Sequence, residues 1–159
     1  ENIRTQILRH AWSPKRSSLV SSYNGDDLDA SLLQAITLRL LPSDDPRMLS
    51  TLTAIQDGLS MGKECWLRRY AADDGFGIPT SAFLICSFWL IEALARCGRT
   101  DEARAAMTQA LSAMSPLGLL SEDYDPLKRR LWGNFPQAYS HVGLIHAAFA
   151  ASPGWTEIV

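Results

Sequence analysis

Three acids fall within four positions at Glu122, Asp123 and Asp125, and a few residues later the chain reads Trp132, Gly133, Asn134, Phe135, Pro136. A second group, Trp66, Arg69 and Tyr70, sets a cation between two rings. Rings, acids, Arg and Asn together suit a sugar. Aromatic planes pack on the apolar C–H faces of a pyranose, and charged or amide groups take its hydroxyls by strong or bidentate hydrogen bonds. Cleaving a glycosidic bond with inversion needs two carboxyl groups about 6.5–9.5 Å apart, one protonating the leaving oxygen and one activating a water. Spacing alone does not choose among these acids, because loop carboxylates are as a rule solvated. Arg69 is either a donor to a substrate hydroxyl or the partner of Asp73 or Asp74.

These residues must be positioned by helices. Apolar residues recur at helical spacing through most of the chain, and strand-type alternation is nearly absent. The pattern predicts helices over 2–10 (Ile3 and Ile7 on one face), 27–41 (Leu28, Leu32, Leu33, Ile36, Leu40) and one opened by Pro46 (Met48, Leu52, Ile55, Leu59). Asp26 or Asp27 is expected to cap the second, and Asp44 or Asp45 the third. The run 80–97 is apolar on nearly every face and reads as a buried helix, with Phe83, Phe88 and Trp89 in the core. Gly98 stops it. The next helix turns Ala103, Met107, Ala110, Leu111 and Met114 inward, and the last carries His141, Val142, Ile145 and Phe149. Connections alternate: 11–26, 60–79 and 115–135 are long, the others short. Antiparallel neighbours put alternate connections at opposite ends, so the three long ones should emerge together. They hold Trp12, Tyr23, Trp66, Tyr70, Phe76, Tyr124, Trp132 and Phe135, and function belongs at such an end. His141, near the start of the last helix, is placed to brace the third loop.

Composition narrows the classes. The chain has 159 residues, 47% hydrophobic, with net charge -2. That is one domain with a real core and no basic footprint for nucleic acid or a membrane face. The most apolar run is too short to span a bilayer and contains Glu92. Three cysteines (Cys65, Cys86, Cys97) without C-x-x-C spacing read as reduced thiols. With no visible secretory leader, they predict a cytoplasmic protein. His141 and His146 are five apart and share no helix face, so no metal site is expected, and no cofactor is implied. The chain opens at Glu1 rather than Met, which predicts a piece of a longer polypeptide.

The stretches "SYNGDDLDASLLQ", "RRYAADDGFGIPTSAFLICSFWLIEALARCGRTDEA" and "GLLSEDYDP…LWGNFPQAYSHVGLIHAA" together resemble the glucoamylase-like glycoside hydrolases of family 15, in order and over nearly the whole chain. The resemblance implies an all-α fold, the α/α toroid of six inner and six outer helices. It implies inverting exo-hydrolysis of α-linked glucose, in α-glucans, malto-oligosaccharides or trehalose. The family's general base stands in an S-E-x-x-D loop, which falls on Ser121, Glu122 and Asp125, so Glu122 is the matching catalytic base. An Arg-Tyr pair that binds a substrate hydroxyl matches Arg69 and Tyr70. Trp66 and Trp132 would line the same end. The family's general acid lies upstream of anything here, so residues 1–159 correspond to a single partial domain, the C-terminal half of the toroid. Of the chain's own glutamates, only Glu64 sits in a long loop where it could stand in. The broken edge would expose Ile3, Ile7, Val142 and Phe149, and predicts a homo-oligomer or a partnership with the N-terminal half.

A different class stays open. "ALARCGRTDEARAAMTQAL" also resembles a helix pair from tetratricopeptide repeats, which would make the chain a non-catalytic helical module binding sugar or protein. Those repeats recur about every 34 residues with uniform short loops. The alternating loop lengths and the lack of a second copy speak against it.

Overall fold

The computed structural model describes residues 2–62, 65–75 and 77–154. Glu64 and Phe76, singled out above, lie outside the described residues. Six α-helices carry the fold: α1 Ile3–His10, α2 Gln34–Thr37, α3 Pro46–Leu59, α4 Leu84–Arg96, α5 Thr100–Leu111 and α6 Ala138–Ala151. Helix α4 is the centre. Ten of its thirteen residues are buried, and it packs against α5 and α6. The α4–α6 approach is close because α6 has Gly143 there. A Cβ on that residue would stand 2.5 Å from Ile85 Cδ1 and 3.0 Å from Phe88 Cβ.

The helix predicted over 27–41 is only partly helical. Residues Ala30–Leu33 form a 3-10 turn leading into α2. The cap is Asp29, whose Oδ1 accepts from Ser31 N–H at 2.8 Å. Asp26 instead takes Ser13 and Lys15. The reason lies far along the chain. Asp29 pairs with Tyr70 as an isolated antiparallel bridge, and Ala30 N–H donates to the Arg69 carbonyl at 2.8 Å. That pairing holds the entry to the turn extended. At the third helix, Asp45 is the cap, as one of the two expected residues.

Five short strands also appear where alternation gave no signal: β1 Trp12–Ser13 with β2 Ser18–Leu19, and β3 Ala82–Phe83, β4 Asp123–Asp125 and β5 Arg130–Trp132 in the order β3-β4-β5. Two or three residues are too few for a period of two to show. Within the expected core, Phe88 is buried while Phe83 and Trp89 are half-buried. Leu111, expected to face inward, is exposed; α5 buries only Ala103 and Ala110. The expected bare edge is present on α6, where Val142, Ile145 and Phe149 are exposed, Phe149 at 80%. On α1, Ile3 is exposed and Ile7 half-buried.

Candidate active site

Glu122 immediately precedes β4, and its backbone is held on both sides. Leu84 N–H donates to its carbonyl at 3.0 Å, and its own N–H donates to the Asn134 carbonyl at 2.9 Å. Its carboxylate Oε2 accepts from Asn134 Nδ2 at 3.0 Å and from Asn134 N–H at 3.3 Å. Gly133 makes that approach feasible. It stands at φ +75°, and a Cβ there would meet Glu122 Oε2 at 2.9 Å and Glu122 Cβ at 3.0 Å. Glycine alone offers both the left-handed backbone and the empty space.

The start of α6 locks the same loop from below. Ser140 Oγ donates to the Ser121 carbonyl at 2.7 Å, Gln137 N–H to the Leu120 carbonyl at 2.9 Å, and Leu120 N–H to His141 Nε2 at 3.2 Å. His141 is therefore the brace its position predicts. Asp125 tightens the β4–β5 turn by accepting from the backbone N–H groups of Leu127 and Lys128, each at 3.0 Å. Those backbone hydrogen bonds, helped by the Lys128 ammonium, hold its carboxyl below the usual range.

Arg69 stands on a neighbouring ladder. Phe83 N–H donates to the Leu67 carbonyl at 2.9 Å, while Phe83 pairs with Asp123 on its other side. Two strand spacings of about 4.8 Å put the 67–69 backbone roughly 10 Å from that of Glu122. Its side chain is half-exposed and pairs with Asp29 Oδ2 at 3.4 Å, not with Asp73 or Asp74. Tyr70 Oη donates to Asp74 Oδ2, which raises the phenol's pKa. The charges of Asp29, Arg69 and Asp123 all bear on the Cys86 thiol in the first turn of α4. Burial dominates there and raises that thiol's pKa far above its ordinary value. Glu122, Asp123, Arg69, Tyr70 and Asp29 are thus gathered at the N-terminal end of α4.

The two tryptophans differ. Trp132 is 43% exposed, and the Arg130 guanidinium lies over its ring at 4.5 Å. Trp66 is 1% exposed. Its ring packs on Tyr124 at 4.5 Å between centroids, beneath the hairpin, and it offers no face to solvent.

Asp123, expected to face solvent, is half-buried. Burial pushes its carboxyl up to about 6, the Ser81 hydroxyl bonded to it works the other way, and the charge of Glu122 adds to the rise. Sequence reasoning also missed Asn134, Ser140 and Ser81 as supports. Asn134 carried a signal, an Asn after a glycine in the aromatic loop; the two serines carried none. A cavity of about 970 Å³ lies at the opposite end of α4.

Comparison with known proteins adds to this geometry. The sequence model of glycosyl hydrolases family 15 matches residues 1–149. The chain is 42% identical over 148 residues to a trehalase of Mycolicibacterium smegmatis, covering 92% of this chain and 22% of that protein. It is 36% identical over 148 residues to a trehalase of Thermoplasma acidophilum, covering 93% and 25%. The chain therefore spans about a quarter or less of the curated relatives it matches. Among solved structures, a wild-type glycosidase superposes with a TM-score of 0.79 at 23% identity, over 94% of this chain and 42% of that one. A glutamate-to-alanine variant of a glycosidase in complex with glucose superposes with a TM-score of 0.77 at 24% identity, with the same coverage. At that identity the superpositions speak to the fold.

Proposed function

The chain belongs to glycosyl hydrolases family 15, and on that footing we propose that it supplies the general-base side of an inverting α-glucosidic hydrolase whose substrate is trehalose. The observation that carries this is Glu122: a half-buried carboxylate pinned on one oxygen by Asn134, leaving the other oxygen to accept a proton. In the proposed reaction Glu122 takes a proton from a water as that water attacks the anomeric carbon. A general acid outside this chain protonates the leaving oxygen on the other face. Arg69, held by Asp29, donates to a sugar hydroxyl beside Tyr70, and Trp132 packs on a sugar ring. Trp66 acts from below by supporting Tyr124. The trehalase names of the relatives favour trehalose over other α-glucosides, with malto-oligosaccharides the second substrate to try.

On this reading the six helices are half of an α/α toroid, and the exposed side chains of α6 meet either the remaining helices or a second copy of the chain. The test is hydrolysis by a protein containing both halves. Glu122→Gln should lower kcat on trehalose by about 10²–10⁴-fold, the usual worth of general-base assistance, with its folding unchanged. Proton NMR of the first turnovers should show equal α- and β-glucose, as inversion at one of two α-anomeric carbons requires. The 159-residue chain alone should act no faster than its Glu122→Gln variant. Full activity in Glu122→Gln, or α-glucose as the sole first product, would overturn the assignment.

A further inference from the structure

At the far end of α4, about ten residues or 15 Å along its axis from the candidate active site, lies the cavity of about 970 Å³. Its wall includes Arg4, Arg39 and Arg96, with Ser43, Asp44 and Gly98. Three guanidiniums stand against two carboxylates, Asp44 in the wall and Glu92 on Arg96, an excess of one positive charge in a chain whose net charge is -2. Among the described residues, the side chains of Arg4, Arg39, Ser43 and Asp44 have no hydrogen-bond or ion-pair partner. Arg96 gives Nε and Nη2 to Glu92 Oε1 at 3.0 and 2.8 Å, which leaves Nη1 uncommitted.

Two local rules are broken here. Arg4 is a cation in the first turn of α1, a turn without an acid, where the helix dipole disfavours positive charge. Arg39 holds the left-handed position that ends α2, at φ 58°. Leu40 N–H donates back to the Ala35 carbonyl at 2.8 Å and Arg39 N–H to the Ile36 carbonyl at 3.1 Å, the hydrogen-bond pattern of a helix stop that normally takes glycine. Backbone strain at a non-glycine residue points toward function when the side chain has a use.

We infer that this cavity is an anion site for a phosphate group, free or carried on a sugar, held by Arg4, Arg39 and the free nitrogen of Arg96. Guanidinium forks match phosphate oxygens in pairs, and Ser43 supplies a hydroxyl donor. A dianion there answers the uncompensated charge of Arg4. The anion site shares no residue with the Glu122 site, so it stands or falls independently of the hydrolytic reading.

The test is calorimetric titration of the 159-residue chain with inorganic phosphate and, separately, with glucose 6-phosphate, in sodium chloride of matched ionic strength. Saturable one-to-one binding is expected. It should weaken at least tenfold in the exposed-site variant Arg4→Gln/Arg39→Gln, and stay unchanged in Arg16→Gln/Arg129→Gln, which removes the same charge elsewhere. Circular dichroism of both double variants should match the parent. Binding of glucose 6-phosphate alone would assign the group as carried on a sugar; equal binding of both would assign the phosphate itself. Absence of saturation with either ligand, or equal weakening in the two double variants, would overturn the site.

Discussion

The two ends of α4 are built by different means. At its start, residues distant in sequence are tied together by backbone pairing: Asp29 with Tyr70, Leu67 with Phe83, Phe83 with Asp123, Asp123 with Trp132. At its finish, neighbours in sequence set the backbone course, with Arg99 also reaching Gln56 Oε1 at 2.7 Å. Gly98 turns the chain at φ +78°, Arg99 pairs with Glu102 three residues on, with Nη2 to Oε2 at 2.5 Å, and α5 begins at once. A site assembled from long-range pairs can hold several side chains at fixed mutual positions, and it is sensitive to any one of them. An end whose turn is set by local pairs should tolerate substitution at that turn better.

That contrast can be broken by substitution. The largest stability effect should come from beneath the candidate site. Trp66→Ala removes a fully buried ring from under Tyr124 and should cost about 3–5 kcal/mol in urea unfolding. Trp132→Ala, on the exposed rim, should change stability by roughly 0.5 kcal/mol or less while weakening sugar binding. Equal costs for the two would erase the distinction between floor and rim.

Next is Gly133→Ala. Its Cβ meets the Glu122 carboxylate at 2.9 Å in a left-handed backbone, so about 1–2 kcal/mol of backbone strain is expected, with a drop in kcat larger than the change in KM. A variant with wild-type kcat would show that Glu122 needs no such close support.

At the other end, Glu102→Ala cuts a surface pair and should cost under about 1 kcal/mol, read as a small shift in the urea midpoint. A cost matching that of Gly133→Ala would mean that the local end is not the more tolerant one.

A further test sharpens the comparison by pH. The Asp123 carboxyl is raised from 3.8 to about 6 in the fold, so the native state holds its proton more tightly than the unfolded chain. Its contribution to stability is then complete below about pH 4 and lost as pH rises through 6. Asp123→Asn, which keeps an acceptor for Ser81, should raise the melting midpoint at pH 7 and leave it unchanged at pH 4. A difference of the same size at both pH values would remove Asp123 as the cause.

Read by itself, the sequence determined that the fold is helical and that α4 is its buried centre, and it pointed to the end where the long loops emerge as the candidate site. Those follow from the period of apolar residues, the stop at Gly98 and the alternation of loop lengths, all of which are local or counting properties. It also singled out Glu122 as the candidate base, through the family resemblance of the S-E-x-x-D pattern at Ser121, Glu122 and Asp125. Only the tertiary structure decided that Asp29 rather than Asp73 or Asp74 holds Arg69, that Trp66 lies under the site instead of in it, and that Asp123 is partly withdrawn from water. It alone revealed the backbone pairing, because residues 29, 67, 70, 83, 123 and 132 pair across separations that leave no periodic trace. Such contacts depend on where helices bring chain ends together in space, and a pattern of neighbours along the chain does not encode that distance.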